Sequence, residues 1–70
     1  MGVNMEWMNG LIRLLEDKVD KIDFNNEGTY WEIIVYIEKV SSEKSYYFID
    51  KINRFMCDYK VDYVVKVLNV

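Results

Sequence analysis

The densest group of side chains able to do chemistry is the run from Glu16 to Glu27, "EDKVDKIDFNNE". Its carboxylates, Glu16, Asp17, Asp20, Asp23 and Glu27, outnumber Lys18 and Lys21 by three, and the net charge of the whole chain is also -3. Such a run could bind a cation, take part in catalysis or attract a basic partner. A calcium loop needs oxygen ligands at alternate positions around a central glycine and a terminal bidentate Glu. Asp17, Asp20 and Asp23 instead recur every third residue with lysines between them, so no metal site is expected. The plainest reading is a solvated helix end followed by a turn. Acids near a helix C-terminus oppose the macrodipole at a cost of a few tenths of a kcal/mol, which slightly favours a use for the charge.

Catalysis has few tools available. The chain contains no histidine and one cysteine, Cys57, which removes imidazole acid-base chemistry, Ser-His and Cys-His pairs, and tetrahedral zinc. Cys57 falls on the polar side of its helix and reads as an exposed thiol. Gly2, Gly10 and Gly28 are isolated from one another, so there is no phosphate-cradling loop. Seven lysines and two arginines are scattered among twelve acids, without the basic stripe that nucleic-acid binding requires. We therefore expect no enzyme, no cofactor and no direct nucleic-acid contact.

Seventy residues allow a single small domain spanning 1–70, near the size where one core is barely sufficient. A lone cysteine offers no disulfide staple, which suggests a reducing compartment. The start "MGVNMEWMNG" lacks a signal-peptide pattern, Glu6 stands where a myristoylation signal wants Ser or Thr, and no apolar run is long enough for a span. A soluble cytoplasmic protein of a bacterial cell is the expectation.

The elements that must position these residues follow from hydrophobic periodicity. Met5, Met8, Leu11, Ile12, Leu15, Val19 and Ile22 step by three or four, as on one stripe of a helix that Asn4 caps and that ends near Lys18. Gly10 is placed on its solvent side. "KIDF" before "NNEG" reads as the first arm of a hairpin. From Thr29, Trp31, Ile33, Val35 and Ile37 alternate with Tyr30, Glu32, Ile34, Tyr36 and Glu38, as in a strand. Ser41 or Ser42 caps a second helix with the stripe Phe48, Ile49, Ile52, Phe55, Met56 and Tyr59; a strand over residues 45–49 is the alternative. "VDYVVKVLNV" alternates again and reads as a last strand. The order α-β-β-α-β predicts an α+β two-layer sandwich, a small mixed three-stranded sheet with both helices on one face and a parallel crossover.

That architecture leaves Tyr30, Ile34, Tyr36, Val64 and Leu68 on the uncovered face, too apolar for water. Tyr46 and Tyr47 lie well off the second helix's apolar stripe. Tyrosine is enriched at interface hot spots because it buries a large area at low entropy cost, although half-buried tyrosines at the edge of a small core have the same pattern.

With "NGLIRLLEDK", "EIIVYIEKV" and "FIDKINRFM", the chain over about residues 9 to 56 resembles the small acidic anti-CRISPR proteins of phages, of the Cas9-inhibitor type. It differs from them in its modest net charge and its C-terminal strand. The resemblance implies an acidic protein that presents carboxylates to the arginines of a nuclease. The first expectation is thus a non-catalytic, phage- or mobile-element-encoded inhibitor of a host defence protein with a basic surface, such as a CRISPR effector. Its contacts would come from Glu16, Asp17, Asp20, Asp23, Glu27, Tyr30, Tyr36, Tyr46 and Tyr47. The alternative is a structural or accessory protein that forms an obligate homodimer through its open sheet face.

Overall fold

A computed structural model describes residues 6–70. The expected cap Asn4 and the first stripe residue Met5 lie outside the described residues. Five elements follow in the order α1 (Glu6–Leu15), β1 (Lys21–Asn26), β2 (Trp31–Ile37), α2 (Ser42–Met56) and β3 (Tyr63–Asn69). The strands form one sheet in the order β1-β2-β3, with β1 antiparallel and β3 parallel to the central β2. This is the mixed three-stranded α+β arrangement expected from the sequence. No described helix is long and apolar enough to cross a membrane.

Alternation in β2 sets the core. Ile33, Val35 and Ile37 are almost fully dry and pack with Trp7, Leu11 and Leu15 of α1 and Phe48, Ile52 and Met56 of α2. Ile22 and Phe24 of β1 and Tyr63, Val65 and Val67 of β3 flank them on the same side. One sheet face is therefore under both helices, because a parallel β2-α2-β3 crossover must lay its helix on a face and α1 joins it there.

Local chemistry fixes the connections. Asn26 Oδ1 accepts the Gly28 N–H at 2.8 Å and Glu27 N–H donates to the Tyr30 carbonyl at 2.8 Å, closing the hairpin loop. Gly28 has φ +101°, a conformation that glycine adopts without steric cost. Ser41 Oγ accepts the Lys44 N–H at 3.1 Å as the cap of α2, so residues 45–49 are helical and the strand alternative is not adopted. Asn69 Oδ1 takes the Val40 N–H at 2.9 Å and ties the β2-α2 loop to the end of β3.

The first helix differs from its sequence reading in three ways. It ends at Leu15 rather than near Lys18, because Asp20 gives its N–H to the Tyr36 carbonyl at 2.8 Å and sheet pairing takes over the backbone. The stripe is centred on Trp7, Leu11 and Leu15, while Ile12 is 40% exposed. Trp7 wins that place by size: its ring meets Phe24 and Trp31 edge-on at centroid distances of 5.6 Å each, joining α1 to two strands. Gly10 faces α2 and not solvent, since a Cβ there would collide with the ring of Phe55. In the second helix Phe48, Ile52 and Met56 are buried as expected, whereas Tyr59 lies beyond the helix end and is 37% exposed.

These placements predict unequal costs within α1. Trp7→Ala removes a dry aromatic and should cost about 3–5 kcal/mol, whereas Ile12→Ala should cost under about 1 kcal/mol. Urea denaturation of the two variants is the measurement; equal losses would contradict the observed stripe.

Candidate functional site

The sequence-predicted contact residues divide into two groups. Glu16 and Asp17 are exposed in the turn after α1, and Asp20 is exposed just before β1. Tyr46 and Tyr47 project from the first half of α2, on the helical side, 72% and 45% exposed. Asp23 stands in β1 on the opposite, open face of the sheet, in register with Ile34. Tyr36 is half-buried on that face with the Lys21 ammonium 5.5 Å from its ring centre. Glu27 and Tyr30 lie at the hairpin end, both within electrostatic reach of Lys66. The nine residues therefore do not make one patch.

Of the first group, Asp20 and Tyr47 line a cleft of about 540 Å³ between the α1-β1 turn, the end of β2 and the start of α2. This is within the size range of ligand and side-chain pockets. Its apolar base is Ile37 and Phe48, with Tyr47 packed edge-on against Phe48 at 5.1 Å. Lys51 lies 5.4 Å from the centre of the Tyr47 ring. Asp20, Glu38 and Glu43 line the cleft. Both of its lysines are engaged: Lys18 with Asp17 at 3.3 Å, and Lys44 Nζ with the Glu38 carbonyl at 3.2 Å. The carboxylates of Asp20, Glu38 and Glu43 have no ion pair among the described residues.

Charge on the open face is balanced instead. Lys66 Nζ lies 2.6 Å from Glu32 Oε2, and Asn25 Nδ2 donates to Glu32 Oε1 at 3.4 Å. The Glu32 side chain is only 13% exposed. The hydrogen bond from Lys66, then that from Asn25, holds the Glu32 carboxyl below its ordinary range, and the same contact with Glu32 holds the Lys66 ammonium above its own. Lys21 and Asp23 pair at 3.5 Å along β1. Ile34 is 7% exposed although no helix covers it, while Val64 and Leu68 on β3 are each 43% exposed.

Glu32 and Lys66 escaped the sequence-derived site residues. The available signal was their place on the outward set of two strands that a crossover makes parallel neighbours. Elsewhere, Tyr63 Oη donates to Asn53 Oδ1 at 2.6 Å, and burial, with a smaller contribution from Cys57, pushes the Tyr63 hydroxyl upward. Cys57 itself is exposed. Among the described residues no three His, Cys, Asp or Glu side chains are grouped so as to hold a metal ion.

The Glu32–Lys66 pair predicts an acid-sensitive contribution to stability. A carboxyl lowered by folding stabilises the fold at pH values above its unfolded pKa, about 4.3, and that contribution is lost as pH falls through the folded value. Glu32→Gln should lower the urea midpoint at pH 7 and make its decline below about pH 5 shallower than in the parent chain. Parallel curves would assign the acid sensitivity to other carboxylates. Comparison of the chain with protein families, with curated proteins and with solved structures gives no match.

Proposed function

We propose that the chain is a small non-catalytic protein-binding module that uses carboxylates and exposed tyrosines to hold a partner with a basic surface. The observation that carries this reading is the cleft at the start of α2, where Asp20, Glu38 and Glu43, beside Tyr47, have no ion pair among the described residues, and where Lys18 holds Asp17 and Lys44 a backbone carbonyl. Glu16 extends the same sign of charge along the adjoining turn, where Asp17 is paired with Lys18. Complementary charge of this kind raises the rate of encounter and fixes orientation, while aromatic area slows dissociation. The resemblance to anti-CRISPR proteins makes a CRISPR effector the first partner to test, with a phage or mobile element as source, the bacterial cytoplasm as place and inhibition as outcome.

A second reading is favoured by a different observation. Tyr36, Val64 and Leu68 leave apolar surface on a sheet face that no described helix covers, and the charges between them are paired within the chain. Surfaces of this composition suit self-association, so a structural or accessory homodimer is the alternative.

The first reading is tested by reversing Asp17, Asp20 and Glu43 to Lys and measuring association with a CRISPR effector, or with the protein captured from host lysate. The on-rate at about 0.15 M salt should fall by at least about tenfold and lose most of its salt dependence. An unchanged on-rate removes the acidic end from the interface.

A further inference from the structure

The pairing register puts the outward side chains of the open face in three rows across the sheet: Lys21–Tyr36–Leu68, Asp23–Ile34–Lys66 and Asn25–Glu32–Val64. The middle row has an apolar residue at its centre, an acid at one end and a base at the other. Asp23 and Lys66 are two strand spacings apart, about 9–10 Å, too far to pair with each other in one chain. Each has a neighbour of opposite charge on its own side, Lys21 for Asp23 and Glu32 for Lys66.

From this row we infer that the open face is covered by a second copy of the chain, related by a two-fold axis that runs along β2. This inference rests on the homodimer reading above and adds its geometry. Rotation about such an axis places β1 over β3 of the second copy, so Asp23 meets Lys66 of the other chain and Lys66 meets its Asp23. Ile34 packs on Ile34 and Tyr36 on Tyr36 at the axis, and the exposed apolar area of Val64 and Leu68 is covered by Asn25 and by the Lys21 stem. Strands of the two sheets then run nearly aligned, as in face-to-face sheet packing about 10 Å apart. Glu32 meets its own copy, with its charge already answered by Lys66 at 2.6 Å.

The other two-fold arrangement in the plane of the interface has its axis across the strands. It sets Asp23 on Asp23 and Lys66 on Lys66, like charges directly opposed, which is unfavourable. Charge therefore selects the axis along β2. An isologous contact counts each substitution twice, which makes the register open to a charge-swap test.

Sedimentation velocity of the parent chain at about 100 µM should give the mass of a dimer, the concentration being ample for a micromolar complex. Asp23→Lys and Lys66→Glu should each weaken it by about 100-fold, from about tenfold at each of two contacts. Mixing the two variants should restore the dimer. The lysine introduced by the first substitution then faces the glutamate introduced by the second, and the native Asp23–Lys66 pair forms at the other contact. A parent chain that sediments as a monomer overturns both the homodimer reading and its geometry. A dimeric parent whose single variants stay dimeric, or whose mixture stays monomeric, overturns the geometry alone. Should either variant fail to fold, a mixture of ¹³C-labelled and unlabelled parent chain decides: intermolecular NOEs from the Leu68 methyls to Lys21 support the axis, whereas NOEs from Leu68 to Val64, or NOEs confined to helical residues, overturn it.

Discussion

The interaction on which the rest of this structure depends is the burial of one side of β2. Ile33, Val35 and Ile37 lose all or nearly all contact with water, at roughly 1.5–3 kcal/mol for each fully buried aliphatic side chain. They can do so only beneath a second layer. With 70 residues, that layer is two helices, and the parallel relation of β2 to β3 commits α2 to the same side that α1 occupies. Trp7 completes the cover by meeting Phe24 and Trp31. Nothing in the described chain is left to cover the other face, so the open face is a consequence of the core and not an independent feature.

The same constraint sorts the charges. On the open face they stand between apolar neighbours and are drawn into pairs, Lys66 with Glu32 and Lys21 with Asp23. Those pairs keep the carboxylates and ammonium groups satisfied while Ile34, between Asp23 and Lys66 in register, stays 7% exposed. At the end of the domain, where the α1-β1 turn approaches the start of α2, geometry provides no such partners. Lys18 and Lys44 bind Asp17 and a backbone carbonyl instead, and the carboxylates of Asp20, Glu38 and Glu43 have no ion pair among the described residues. The chain thus has one neutral apolar surface and one acidic surface of mixed texture, on separate parts of a very small body.

Much of this was legible in the sequence, for reasons that can be located. Period-two alternation in β2 and β3 and the Ser41 cap of α2 are local signals, and the fold order followed from them. The face of α1 was harder because two apolar sets overlap on it. Met8, Leu11, Ile12 and Leu15 satisfy the helical spacing, and so do Trp7, Leu11 and Leu15; only the tertiary contacts of Trp7 with two strands decide between them. The helical wheel alone puts Gly10 on the solvent side, whereas the ring of Phe55 in α2 lies against it. The contact residues suffered from the same limit. "EDKVDKIDFNNE" is continuous in sequence, but it crosses from helix end to turn to strand, so Asp20 and Asp23 are delivered to different surfaces.

That division makes the two functional readings compatible. A two-fold axis along β2 preserves strand direction, so the end of β2 and the start of α2 lie at the same end of the assembly in both copies. The two clefts lined by Asp20, Glu38 and Glu43 would then stand at one end of the proposed dimer, on its two outer helical sides, with the turns carrying Glu16 and Asp17 next to them. An acidic surface that is modest in one chain, at net charge -3, would be doubled in the proposed dimer without any new residue. Linking two such sites rigidly makes the second contact intramolecular and can raise avidity by roughly 10²–10⁴ where a partner presents two basic patches at matching distance. In the proposed dimer, a chain too small to bury both faces of its own sheet would use the uncovered face to build a larger charged surface than it has alone.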